Sequence, residues 1–81
     1  MRVTVRLFAQ LRDAAGLGVW EADLPPGALV GDVWRDVARR HPEIAPFEKA
    51  ISCAINANFA RMTQPVADGD EVAFLPPVSG G

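Results

Sequence analysis

The apolar positions alternate at the start of the chain and recur with helical spacing near its middle. In residues 2 to 8, Val3, Val5 and Leu7 fall on one side of an extended chain, and this two-residue period predicts a half-buried strand. Between residues 30 and 38 the apolar residues recur every three or four positions, which predicts an amphipathic helix with its charged residues turned away from the core.

Shorter patterns complete the predicted architecture. Good helix formers fill residues 9–15, and residues 19–24 alternate until two prolines stop them. Residues 42–50 are predicted to form a loop. Asn-Ala-Asn at 56–58 predicts the turn of a hairpin, and the last strand follows an Asp-Gly turn. This order predicts an α+β domain over residues 1–75, in which one main helix covers one face of a mixed sheet, followed by an extended tail over residues 76–81.

Strand alternation also predicts an apolar patch on the sheet face opposite the core. When the face that contains Val3 and Val72 points inward, Phe8, Phe59 and Leu75 point outward. Single exposed apolar residues are ordinary, whereas a contiguous group on one face usually marks a partner site. We therefore expect these three side chains to bind a partner.

Composition and charge narrow the classes of function. The chain has 81 residues, with eight basic and ten acidic side chains, a balance that argues against a nucleic-acid partner because such binding needs a clustered basic surface. Arg2 and Arg6 interrupt the first six residues, where a signal peptide would need an unbroken apolar run, and no later run approaches the roughly 20 apolar residues of a membrane span. We expect a cytoplasmic protein that binds a protein or a small molecule, with no membrane contact.

The C-terminal stretch carries the most distinctive chemistry. Pro76 and Pro77 cannot donate to a sheet, so the tail must leave it. Gly80 and Gly81 lack Cβ atoms and could pass through a narrow channel to present the Gly81 carboxylate. That anion resists nucleophilic attack until it is activated, for example by joining to AMP, after which a sulfur nucleophile could form a thiocarboxylate. The tail alone leaves an inert, frayed terminus equally open.

The rest of the sequence offers no catalyst for that activation. The chain has no Gly-rich phosphate loop, and Cys53 lies in an apolar strand, where cysteine is more often a small core residue than a reactive one. A single cysteine excludes an intrachain disulfide and a multi-cysteine metal site. The acidic residues near Asp68 fit a solvated turn better than a cation site. For a reactive tail, the catalyst must therefore be another protein and this chain its noncatalytic substrate, and we expect the chain to bind no cofactor or metal itself.

Three stretches resemble a known family. They are LFAQLRD at 7–13, AIN at 54–56 and above all DGDEVAFLPPVSGG at 68–81, and they closely resemble the small subunit of molybdopterin synthase, with a likeness that spans the chain. The resemblance implies a ubiquitin-like β-grasp fold and a heterotetramer with the large synthase subunit. It also implies that a ubiquitin-activating-type adenylyltransferase uses ATP to adenylate Gly81, that a sulfur donor protein then supplies the thiocarboxylate, and that this group sulfurates cyclic pyranopterin monophosphate to form the molybdopterin dithiolene.

The resemblance also implies which residues act. Gly81, with Gly80 before it, would carry the acyl-adenylate and the thiocarboxylate. The partner-facing positions would be Phe8, Phe59, Leu75, Pro76, Pro77, Val78 and Ser79. The family usually has Thr where this chain has Ser79. Three alternatives stay open: a sulfur carrier for thiamine or tRNA thiolation, a ubiquitin-like protein modifier, and a ubiquitin-like binding module with an inert tail.

Overall fold

A computed structural model describes residues 1–77, which form a five-stranded mixed sheet with helices packed on it. The strands are β1 (Arg2–Leu7), β2 (Val19–Asp23), β3 (Ser52–Ile55), β4 (Asn58–Ala60) and β5 (Glu71–Leu75), and the helices are α1 (Ala9–Ala15) and α2 (Val30–Arg40). The predicted tail residues Val78, Ser79, Gly80 and Gly81 lie outside the described residues. Within residues 1–77, no helix is long and apolar enough to cross a membrane.

The strand order is β2-β1-β5-β3-β4, with β1 and β5 parallel at the centre and the other neighbours antiparallel. A parallel pair needs a long crossover connection, and here the chain between β1 and β5 includes α2 and the β3–β4 hairpin. The predicted α+β class, with one main helix against a mixed sheet, is confirmed.

The core lies between α2 and the inward face of the sheet. Val3, Val5 and Leu7 are almost fully buried, as the alternation in β1 predicts. The apolar stripe of α2 is buried as well, and its Trp34 ring meets the Phe74 ring of β5 edge-on, with centroids 5.1 Å apart. Such a pair adds about 0.5–1.5 kcal/mol beyond the area that it buries.

The free backbone N–H groups at the start of α2 donate to Asp32 and to the loop after β4, and no polar side chain precedes the helix to cap it. Leu29 precedes the helix and has no side-chain acceptor, but its own backbone N–H donates to the Asp32 carboxylate at 2.7 Å. This hydrogen bond, together with the Arg35 side chain, lowers the pKa of Asp32 below its ordinary value. The backbone N–H groups of Val30 and Gly31 donate to carbonyls of Gln64 and Met62, so the loop after β4 satisfies the free helix end.

The predicted loop at 42–50 is partly wrong, because Pro42–Phe47 forms a 3-10 helix. Two prolines in six residues weigh against a helix in sequence reasoning. Pro42 lies at the first helical position, where proline is tolerated, and Ile44 is fully buried in the core. Burial of Ile44 stabilises a short turn that local propensity alone does not predict.

The predicted hairpin is confirmed, although β4 is shorter than the pattern suggests. Asn56 and Ala57 form its two-residue turn, with φ of 49° and 70°. Two consecutive positive φ angles match the twist of the strands, but Ala57 pays the steric cost of its Cβ in the left-handed region, about 1–2 kcal/mol.

We expect Ala57→Gly to raise the free energy of unfolding by about 0.5–1 kcal/mol, because relief of the left-handed strain exceeds the entropy that glycine adds to the unfolded chain. Chemical denaturation measures the change. Ala14→Gly is the matched control, since Ala14 is exposed within α1 and glycine there should lower stability by up to about 1 kcal/mol. A destabilised Ala57→Gly protein contradicts the prediction.

Candidate functional site

A row of side chains crosses all five strands on the sheet face that points away from α2. Arg6 of β1 is paired directly with Val19 of β2 and with Ala73 of β5. Ala54 of β3 is paired with Ala73 and with Phe59 of β4. Directly paired residues point to the same side of a sheet, so the outward row runs Val19, Arg6, Ala73, Ala54, Phe59.

Four residues of this row, Arg6, Ala73, Ala54 and Phe59, line a shallow groove of about 310 Å³. Ala54 and Ala73 form its floor, because their small side chains leave room between the larger neighbours. Its lining consists of Arg6, Phe8, Ala54, Ala57, Phe59, Glu71, Ala73 and Leu75. The groove therefore contains Phe8, Phe59 and Leu75, the three side chains that alternation places on the outward face. Their role in binding a partner stays a prediction.

The exposed apolar area is concentrated on this face. Phe59 is 84% exposed, Val19 57% and Phe8 36%, and these are the large exposed hydrophobic residues of the described chain. An apolar group of this size on one sheet face is typical of a protein-binding surface. Sequence reasoning missed Val19, although alternation places it on the same side of β2 as the charged residues Glu21 and Asp23.

Two charged side chains lie within this apolar surface. The Arg6 guanidinium is 5.4 Å from the centre of the Phe8 ring, within cation–π distance. Its Nη1 atom is 3.8 Å from Oε2 of Glu71. Strand alternation places Arg6 on the same side as Phe8 and Glu71 on the same side as Leu75, so the signal for a charged pair was present in the sequence.

The end of β5 brings the tail to this groove. Leu75 is the last residue of β5 and lies in the groove lining. Pro76 is half-buried and Pro77 is exposed. The described chain therefore leaves the sheet at Pro76 and Pro77, beside the apolar surface.

Cys53 lies on the opposite, inward side of β3. Its residue is 5% exposed, and its Sγ atom is 3.7 Å from Sδ of Met62. Burial raises the pKa of the Cys53 thiol, which disfavours the thiolate that nucleophilic chemistry needs. This environment supports the interpretation of Cys53 as a core residue rather than a sulfur-carrying group.

The acidic residues near Asp68 serve the turn before β5. Asp70 accepts hydrogen bonds from the backbone N–H of Ala67 at 2.8 Å and from Nδ2 of Asn56 at 2.9 Å. Asp68 accepts one from the backbone N–H of Arg2 at 2.7 Å. Among residues 1–77, no three metal-ligating side chains lie together in an arrangement that could hold an ion.

Known proteins are similar to this chain in both sequence and fold. The model of the ThiS family matches residues 5–81. The molybdopterin synthase sulfur carrier subunit of Chlamydomonas reinhardtii is 35% identical over 83 residues, with full coverage of both chains. The crystal structure of SAMP1 from Haloferax volcanii superposes with a TM-score of 0.89 at 30% identity and full coverage of both chains. A chain of the Amycolatopsis orientalis BexX/CysO complex gives 0.71 at 29% identity, covering 98% of this chain and 99% of the other. These matches confirm the predicted ubiquitin-like β-grasp fold.

Proposed function

This chain belongs to the ThiS family, and on that premise we propose that it is the sulfur carrier subunit of a molybdopterin synthase. Full-length similarity to a sulfur carrier subunit of that enzyme supports the proposal. The observation that carries it is the apolar groove at the end of β5, because a carrier needs a partner-binding surface at the base of its reactive tail.

The reactive group of the proposed carrier is the Gly81 carboxyl. An activating-type adenylyltransferase joins one carboxylate oxygen to the α-phosphorus of ATP, and pyrophosphate leaves. The outer sulfur of a persulfide on a donor protein then attacks the acyl carbon, and AMP leaves with the bonding electrons. A thiol then attacks the donor protein's own sulfur in the resulting acyl disulfide, so that a new disulfide forms on the donor side and the Gly81 thiocarboxylate is released. The large synthase subunit accepts the tail, and the thiocarboxylate sulfur forms a bond to cyclic pyranopterin monophosphate. Water then cleaves the bond between that sulfur and the Gly81 acyl carbon, so that the sulfur stays in the dithiolene and the Gly81 carboxylate is regenerated.

In the proposed function, the chain itself binds the large subunit and positions its own C-terminal tail. The groove docks on the large subunit, and Pro76 and Pro77 restrict the backbone as it leaves the sheet. The paired glycines Gly80 and Gly81 carry no side chain beyond a hydrogen atom, which suits a narrow channel. The catalytic groups for adenylation and sulfuration belong to the partner proteins, so the chain acts as a substrate of each in turn.

Protein modification is a second candidate function, favoured by the similarity to Small archaeal modifier protein 1 of Haloferax volcanii, which is 32% identical over 84 residues. A modifier joins its C-terminal carboxyl to a lysine of another protein as an isopeptide. Carriers for thiamine or tRNA thiolation would use the same thiocarboxylate and differ only in the protein that consumes it.

Intact-mass measurement of the protein isolated from its native cell separates these functions. We expect a fraction of the chains to contain one sulfur in place of one oxygen at Gly81, and addition of purified large subunit with cyclic pyranopterin monophosphate to discharge that sulfur. Gly81 isopeptides on cellular proteins would instead indicate a modifier. A thiocarboxylate that the large subunit cannot discharge would indicate another sulfur pathway.

A further inference from the structure

The groove contains an ion pair whose position makes it part of any interface formed there. Arg6 lies between Val19 and Ala73 in the outward row, and Glu71 lies two residues before Ala73 on β5. Both charged side chains line the groove with Phe8 and Leu75. A partner that covers the apolar side chains on this face must therefore also cover Arg6 and Glu71.

The pair is loosely held within the chain. The side chains of Arg6 and Glu71 are 45% and 42% exposed, and Nη1 is 3.8 Å from Oε2, which is beyond hydrogen-bond length. The two guanidinium-carboxylate pairs near the start and middle of α2, by contrast, have contacts of 2.6 Å, between Arg35 and Asp32 and between Arg39 and Asp36. Water therefore solvates much of the charge on Arg6 and Glu71 in the free chain.

Burial of this face would remove that water. A guanidinium has five N–H donors in a planar fork, and a carboxylate has two acceptor oxygens. One contact of 3.8 Å cannot satisfy both groups, and a buried charge without hydrogen bonds is strongly unfavourable. A partner that binds well must therefore supply an acceptor to Arg6 and a donor to Glu71.

We propose that Arg6 and Glu71 determine partner specificity, by requiring a large synthase subunit whose docking surface presents a carboxylate opposite Arg6 and a basic side chain opposite Glu71. This inference rests on the proposed function, because it takes the large subunit as the protein that covers the groove. The apolar side chains supply contact area. The positions of the two charges, positive on β1 and negative on β5, fix the orientation of the partner on the groove and exclude partner surfaces whose charges are placed the other way round.

Exchanging the two side chains tests whether the positions of the two charges matter, without changing the net charge of the protein. The double variant Arg6→Glu, Glu71→Arg keeps an acid and a base side by side on β1 and β5 but reverses the polarity that the partner meets. We expect it to bind the large subunit from the same organism about 100-fold more weakly than the natural chain, measured by isothermal titration calorimetry, with an unchanged melting temperature.

The chain offers a matched control at the other end of β1. Arg2 pairs with Asp23 across β1 and β2, with Nε 3.4 Å from Oδ1 and side chains 62% and 78% exposed. Arg2→Asp, Asp23→Arg is an exchange of the same kind outside the groove lining, and we expect its affinity to lie within about twofold of the natural chain, as for solvated surface charges.

The outcomes distinguish this inference from the proposed function. If the natural chain binds and the groove exchange binds equally well, the specificity inference is wrong and the proposed function stands. Equal weakening by both exchanges also overturns it. If the natural chain fails to bind the large subunit, the specificity inference and the proposed function are both wrong. Should the groove exchange not fold, Arg6→Gln decides: a tenfold loss supports the inference, and unchanged affinity contradicts it.

Discussion

Deletion of Gly81 is expected to abolish sulfur transfer while leaving the melting temperature within about 1 °C of that of the natural chain. The described core, from Val3 to Phe74, is complete without the tail, so we expect little loss of stability. The reaction, however, needs a carboxyl group at one depth within the partner. One residue of extended chain spans about 3.3 Å, and misplacement by 1 Å can cost about a hundredfold in rate.

The assay for this prediction combines the purified chain with its activating enzyme, ATP and a sulfur donor, and reads thiocarboxylate by mass. Gly81→Ala keeps the carboxyl group at its place and adds one methyl group, so we expect impaired but measurable transfer. Cys53→Ala is the control for sulfur carried on the cysteine thiol instead of on Gly81. This variant should load sulfur at the natural rate, because Cys53 is buried in the core. A chain without Gly81 that still sulfurates the precursor normally would refute the mechanism.

The faces of the strands could be predicted from sequence because each depends on neighbouring residues. The burial of Val3, Val5 and Leu7 follows from alternation within six residues. The stripe on α2 follows from helical spacing in the same way. Local patterns do not predict an element whose stability depends on packing against distant parts of the fold. The 3-10 helix is such a case, because burial of Ile44 in the core stabilises it despite two prolines in its six residues.

The arrangement of the groove depends on strand register, which the sequence does not reveal. Alternation places Arg6 and Ala73 on outward faces, but only the parallel pairing of β1 with β5 sets them side by side. The floor of small side chains at Ala54 and Ala73 depends in turn on the antiparallel pairing of β3 with β5. Alternation assigns Val19 to the side of Glu21 and Asp23, but its place beside Arg6 at the end of the outward row depends on the pairing of β1 with β2.

The second large effect is expected at Phe59, where Phe59→Arg should weaken binding of the large subunit by about 100- to 1,000-fold. Truncation of an aromatic side chain that anchors an interface commonly costs about 2–4 kcal/mol. Arginine would also place a charge against the apolar floor of the groove, where burial without an acceptor is unfavourable. Because the Phe59 side chain is 84% exposed in the free chain, the fold should tolerate the substitution.

The matched control for this effect is Ala50→Arg, which adds the same charge at an exposed position between the 3-10 helix and β3, outside the groove lining. We expect its affinity to stay within about twofold of the natural value, as is usual for surface substitutions. Calorimetric titration with the large subunit compares the two variants, and thermal unfolding verifies that both are folded. Equal affinity of Phe59→Arg and the natural chain would exclude the outer wall of the groove from the interface, whereas loss of binding in Phe59→Arg alone assigns the docking surface to the outward row.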